Sequence, residues 1–226
     1  MEILSVLLEW GPYLLGGIAI TLGLTISALA LGFCLGLPLA LGQVYGSRPV
    51  RSLIAVYVWF FRGLPTLILL FLFYFGVFPA LGLDFSAFVI GATVLGLRGA
   101  AYQSQIFRAG IQSVAEGQMT AALSLGMTRW EAVQCIIIPQ ALRISLPGWS
   151  NEYPELLTDS AVCYAIGVAE LMTRTSQIVS VTYMTMPIYI ACALIFIALN
   201  YGGMRVIRKA EERFAIPGFG GKAVQP

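Results

Sequence analysis

The sequence predicts an all-α integral membrane protein with five transmembrane helices, its N-terminus outside and its C-terminus in the cytoplasm. Three observations carry that prediction. Of 226 residues, 58% are hydrophobic and 11% charged, against roughly 45–50% apolar and about 25% charged in a soluble domain. Such a chain lacks the polar groups to cover its own surface in water. Apolar runs long enough to cross a bilayer recur along it, a crossing needing about 20 residues. Finally, Lys and Arg gather on one side of those runs, the asymmetry that orients a membrane chain.

The elements follow in order. The first ten residues hold Glu2 and Glu9 and no base, unlike the basic start of a secretory leader, so the first apolar run is read as a retained span. That run covers 13–44 and carries Gly16, Gly17, Gly23, Gly32, Gly36 and Gly42, small residues that let helices approach closely in lipid. The second covers 52–78, interrupted by Arg62, and the third 85–107, containing Arg98. The fourth, 146–172, is broken by Glu152, Pro154, Glu155, Asp159 and Glu170, and the fifth, 187–207, is clean. Arg48, Arg51, Arg108, Arg129, Arg143, Arg205, Arg208, Lys209, Arg213 and Lys222 fall on one side; Arg174 alone falls on the other. Trp10, Tyr13, Tyr45 and Trp130 flank spans as interface anchors. Residues 1–215 read as a single membrane domain and 216–226 as a flexible tail.

Composition excludes several functions. A net charge of +2 gives no case for nucleic acid, and the absence of histidine removes histidine bases and histidine metal sites. Cys34, Cys135, Cys163 and Cys192 are widely spaced in apolar surroundings and read as small buried hydrophobes. No metal site and no bound cofactor are expected, and no catalytic set appears, so the chain is not read as an enzyme. No G-x-x-x-x-G-K-[ST] phosphate loop occurs; Gly218-Phe-Gly-Gly-Lys222 has the wrong spacing and lacks the magnesium-binding hydroxyl.

The internal loop at about 108–143 is structured. Ser113-Val-Ala-Glu116 fits a capping box, predicting a helix from about Val114 that ends at Gly126, a glycine suited to the left-handed cap. Thr128-Arg-Trp-Glu131 fits a second capping box, opening a helix expected to end near Pro139.

These residues carry a resemblance. Glu116-Gly-Gln-Met-Thr-Ala-Ala-Leu-Ser-Leu-Gly126, followed by Ile136-Ile-Ile-Pro-Gln-Ala-Leu-Arg143 and Leu146-Pro147, resembles the EAA loop of ABC-importer permeases. Phe60-Phe-Arg-Gly-Leu-Pro65, the stretch from Ala101 to Ser113 and the ending Glu211-Glu-Arg-Phe214 are similar to the polar amino-acid branch. The resemblance covers roughly 14–214 and implies the type I ABC-importer permease fold. It also implies that Glu116, Gly117, Ala121, Ala122, Leu123 and Gly126 dock in a groove of a separate ATP-binding subunit, present in two copies, which holds the ATP and magnesium. An identical or paralogous permease subunit forms a dimer with the chain. An extracytoplasmic solute-binding protein delivers the amino acid, and the setting is a bacterial or archaeal cytoplasmic membrane with its lipid. Thr120 stands where the family usually has glutamate, which removes an expected ionic contact to the ATPase.

Charges within the spans supply the candidate substrate site. Arg62 falls near mid-membrane, and Gly63 and Pro65 after it loosen the helix. Glu152, Glu155 and Asp159 are spaced to share a helix face, with Asn151 beside them and Thr66 just past Pro65. Arg62 suits a carboxylate bidentately, and the acids suit an ammonium or a basic side chain. An internal ion-pair network is the competing reading of the same charges. Thr158-Asp-Ser-Ala161 stands where the family commonly has a Lys-Asp-Thr-Ser string, so the substrate is expected to lean cationic, as arginine, lysine or ornithine. The rival function is a secondary transporter or channel driven by an ion gradient, which has no need of a docking loop.

Overall fold

The computed structural model describes residues 2–214, and every regular element among them is a helix. The tail at 216–226, with Lys222, lies outside the described residues. Helix α1 (Glu2–Tyr45) runs unbroken for 44 residues, about 66 Å at 1.5 Å per residue, well beyond a ~30 Å hydrocarbon core. Two helical stretches, Leu8–Tyr45 and Thr185–Arg213, are long and apolar enough to cross a membrane unaided.

The second and fourth apolar runs are broken, whereas the third is one continuous helix. Helix α2 (Arg48–Gly63) ends beside Arg62, and α3 (Thr66–Phe71) restarts after Pro65. Wide turns over Leu72–Val77 and α4 (Phe78–Ala80) complete that arm, which bends by 109° from α2. The loosening expected after Arg62 is thus a sharp elbow. Proline explains it: Pro65 cannot donate a helical hydrogen bond and pushes Leu64 to an extended conformation, φ −106° and ψ 142°.

Helix α5 (Ala87–Ser113) is the hub, packed along α1 and touching α2, α3, α8 (Ile138–Trp149) and α9 (Glu152–Ser160). After α9 a tight turn over Ala161–Ile166 leads through Gly167, φ +81°, to α10 (Leu171–Thr182). The two arms meet at 52°. The fourth apolar run is therefore redrawn: its first residues finish α8, and the bent pair is Glu152–Ile166 with Leu171–Thr182. Helix α11 (Thr185–Phe214) closes the chain.

Broken backbone in an apolar bundle must find its partners inside the protein. Glu170, fully buried, accepts from the amides of Met172 at 2.7 Å and Thr173 at 2.6 Å. The Leu171 amide donates to the Thr21 hydroxyl of α1 at 3.1 Å. An acid at this helix N-terminus also suits the helix dipole.

The loop helices depart from expectation in two respects. Ser113 belongs to α5 and donates to the Ala109 carbonyl at 2.8 Å, so it caps nothing; α6 (Glu116–Ser124) begins from Ala115 with no side-chain cap. A helix hydroxyl within reach of the carbonyl four residues back takes that local bond on the oxygen's second lone pair. The helix opened by Thr128 does not end at Pro139. α7 (Arg129–Ala132) passes through wide turns at Val133–Ile137 into α8. The Ile138 amide reaches back to the Val133 carbonyl, and this widened turn seats Pro139 without the usual clash. The same device precedes Pro79, where the Phe78 amide reaches the Phe73 carbonyl.

Gly17 marks the closest approach of α1 to α10: a Cβ there would lie 2.8 Å from the Leu171 Cα and 2.9 Å from its amide nitrogen. Backbone cannot yield as a side chain does. Gly17→Ala is expected to destabilise the purified chain by about 1–3 kcal/mol, read as a lower unfolding midpoint in mild detergent. Gly11→Ala, with nothing within 4 Å, should leave that midpoint unchanged or raised. Equal midpoints for the two variants would contradict the packing.

Candidate functional site

At the elbow the structure gathers charges from three helices and a hydroxyl from a fourth. The Arg98 guanidinium of α5 donates to Asp159 Oδ2 of α9 at 2.5 Å, with both side chains largely buried at 15% and 19% exposure. The Thr66 hydroxyl, in the first turn of α3, donates to the same oxygen at 3.4 Å. Tyr102, one turn along α5 from Arg98, receives both arginines: the Arg98 guanidinium carbon is 4.7 Å from its ring centre and that of Arg62 is 4.8 Å. Arg98 also donates to the Tyr102 hydroxyl at 3.4 Å. The Tyr57 hydroxyl of α2 donates to the Leu97 carbonyl at 2.6 Å, tying α2 to α5 beside Arg98. Elbow and hub are thereby held in register.

Of the residues singled out in the sequence, Arg62, Thr66, Glu152 and Asp159 converge. Glu152 is buried, at 6% exposure, and lies within electrostatic reach of Arg98, Arg62, Glu155 and Asp159. Two others stand aside. Asn151 is exposed and spends its amide on the Pro147 carbonyl at 3.3 Å. Glu155 is exposed, although its charge reaches Glu152 and Asp159. Two members were not among the chosen residues. Arg98 was visible as a charge in an apolar run able to neutralise one of the acids, which is the competing ion-pair reading; which acid it takes was not visible, since 61 residues separate it from Asp159. Tyr102 carried the only other signal, lying at the i+4 position to Arg98.

Arg62 stacks on a ring but makes no ion pair among the described residues, and the Arg98 Nε is buried without a hydrogen-bond partner. Two guanidiniums around one tyrosine, faced by Asp159 and Glu152, can bind a ligand carrying both charges: a carboxylate at the arginines and an ammonium at the acids.

The second functional region lies at the far end of α5. Helix α6 turns Ala122 inward, at 4% exposure, and Met119 packs near Phe107 and Ile111. Ala121 and Leu123 face outward, Leu123 at 46% exposure, with Leu125 beyond them. Glu116 sits exposed in the first turn, and a Cβ on Gly117 would meet nothing within 4 Å. The helix ends as expected. Gly126 has φ +85°, its amide reaches Leu123, and that of Met127 reaches Ala122, a Schellman ending. Thr128 and Glu131 form the expected capping box, and the hydroxyl and amide of Thr128 hold the Glu131 carboxyl below its ordinary range. Thr120 turns its hydroxyl onto the Glu116 carbonyl at 3.4 Å. The short helix α6 thus ends in an ordered C-terminal cap and leaves Leu123 and the following Leu125 exposed.

Comparison with known proteins gives a consistent answer. Residues 32–215 match the family described as "Binding-protein-dependent transport system inner membrane component". The histidine/lysine/arginine/ornithine transport system permease protein HisM of Salmonella typhimurium is 34% identical over 211 residues, covering 89% of this chain and 90% of its own. The arginine transport system permease protein ArtQ of Bacillus subtilis is 33% identical over 205 residues, covering 89% and 94%. The crystal structure of an amino acid ABC transporter with histidines superposes with a TM-score of 0.83 at 35% identity, covering 94% of this chain and 99% of that one.

The Arg98–Asp159 pair predicts a non-additive mutant cycle. Removing one partner strands a buried charge, whereas replacing both with apolar groups does not. Asp159→Leu should destabilise the chain by about 3 kcal/mol, and Arg98→Met with Asp159→Leu should recover most of that, measured by thermal unfolding in detergent. Losses that simply add would show that the pair is not a unit.

Proposed function

The chain belongs to the family of binding-protein-dependent transport system inner membrane components, and from that premise we propose that it is the membrane-spanning permease subunit of an ATP-driven importer of polar amino acids. The observation that carries this reading is α6, a helix closed at its C-terminus by a left-handed glycine, with Leu123 and the adjoining Leu125 facing outward and uncovered by any of the described residues. A carrier driven by an ion gradient has no use for such an element; a subunit that takes its energy from a partner does. Glu116, Gly117, Ala121, Ala122, Leu123 and Gly126 form the contact with a separate ATP-binding subunit, and motion of that subunit passes through α6 and α8 to the charged elbow. ATP and magnesium belong to the partner, and this chain binds no cofactor of its own.

The assembly comprises two ATP-binding subunits, two permease chains that are identical or paralogous, and an extracytoplasmic solute-binding protein. The five apolar runs are five spans of a bacterial or archaeal cytoplasmic membrane, two of them bent, with the C-terminus and α6 in the cytoplasm. Ten bases on that side support the orientation.

The substrate is a polar amino acid held at the elbow. Arg62 receives the carboxylate with Arg98, while Asp159, Glu152 and Thr66 receive the ammonium or a basic side chain, with Glu155 and Asn151 at the margin. Three acids against two bases favour a cationic substrate, and the names of HisM and ArtQ, which specify basic amino acids, point the same way. One preparation tests both parts. A partner ATPase is expected to co-purify with the wild-type chain and be lost with Leu123→Asp, and in proteoliposomes lysine and ornithine should compete with arginine uptake where glutamate does not. No ATPase after cross-linking intact membranes would overturn the importer; stronger competition by glutamate would overturn the charge preference alone.

A further inference from the structure

Beside the core that joins α5 to α8 lies an apolar crevice of about 480 Å³, lined by Phe33, Phe107, Leu142, Leu146 and Trp149. Its walls are fixed. Phe33 meets Phe107 edge-on at 5.3 Å and Trp149 at 5.9 Å, and the Trp149 indole N–H is already committed to Gln103 at 2.8 Å. The indole therefore offers the crevice a ring and no donor. Ordered water needs two to four polar partners, and this lining supplies one polar side chain, Arg143. Arg143 is exposed and has no acidic partner among the described residues.

Depth narrows the occupant. Phe107 closes the third apolar run at 85–107 and Arg143 lies just before the fourth at 146–172, both on the base-rich side of the chain. Resting on the membrane orientation proposed above, the crevice lies where the hydrocarbon of the cytoplasmic leaflet gives way to headgroups, with Arg143 at the level of phosphates. An apolar slot of this volume with one guanidinium in its lining complements an anionic amphiphile: chain in the slot, phosphate on the arginine.

We propose that this crevice is a binding site for an anionic phospholipid, with one acyl chain among Phe33, Phe107, Leu142, Leu146 and Trp149 and the headgroup phosphate on Arg143. The site abuts both the hub helix and the helix that follows the coupling loop. Bound lipid therefore braces the joint between α5 and α8 through which partner motion would travel.

The test uses the assembled transporter in phosphatidylcholine vesicles doped with a photoactivatable lipid, its diazirine in the acyl chain. Peptide mapping follows, with phosphatidylglycerol and phosphatidylcholine probes compared. The glycerol lipid should label the peptides around Phe33 and Leu142–Leu146 about fivefold more than the choline lipid, the ratio expected for one basic residue at an anionic headgroup. Arg143→Gln should remove that preference and Arg143→Lys keep most of it, while Leu146→Trp, which fills the slot, should lower labelling by both probes. Equal labelling by the two lipids, labelling indifferent to Arg143→Gln, or cross-links from these peptides to another polypeptide in place of lipid would overturn the site. If Leu146→Trp does not assemble, the Arg143 pair decides alone. Labelling is read without transport, so failure here is separable from failure of the importer reading.

Discussion

Arg98 and Asp159 meet at 2.5 Å between the hub helix and α9, in a segment whose neighbours are built for lipid. A single charge at bilayer depth costs about 2.5–3.5 kcal/mol at the least, so neither residue is tolerable without the other or a ligand in its place. That demand arranges the surroundings. Thr66 reaches Asp159 only because Pro65 ends one helix and starts another beside it. Tyr102 offers its ring to both arginines only because α2 stops at Gly63 and leaves Arg62 at the elbow. The bent arms are thus what brings four helices to one cluster, and straight spans would leave these charges apart.

Bending carries its own demand, since every freed amide must be met within the protein. At the second bend Glu170 and Thr21 take the first amides of α10, while Gly17 lets α1 come close enough for Thr21 to reach. The wide turns before Pro79 and Pro139 solve the related problem of carrying a helix through proline. Breaks that look like defects in a hydropathy profile are joints with their hydrogen bonds accounted for.

Much of this was legible in the sequence, and what was not has physical reasons. The apolar runs, the left-handed cap at Gly126 and the capping box of Thr128 and Glu131 are local, and local chemistry decided them. Ser113 misled because the last turn of α5 offers its hydroxyl the Ala109 carbonyl, which it takes in place of an amide of the next helix. Pro139 misled because a widened turn can absorb a proline, and no residue pattern announces such a turn. At the site, Arg62, Thr66, Glu152 and Asp159 stood out as charges or polar groups beside helix breaks. Asn151 fell away because it lies in the turn before α9 with its amide on the Pro147 carbonyl, and Glu155 because it is exposed on α9; the Arg98–Asp159 pairing depends on tertiary contact across 61 residues.

Two distant regions then share one scaffold. Helix α5 carries Arg98 and Tyr102 near its middle and delivers the chain to α6 at its end, with α8 returning along it through the Ser145 hydroxyl, which donates to the Ile106 carbonyl at 3.3 Å. Movement imposed on α6 has a packed route back to the charges. The account rests on those charges being where the amino acid is held, and one measurement bears on it most directly: ATP-dependent arginine uptake by transporter carrying Asp159→Asn, beside a check that the ATPase still co-purifies. An intact complex whose uptake falls about 10–100-fold, the worth of one charge-assisted hydrogen bond, is the predicted result. An intact complex transporting at the wild-type rate would contradict it.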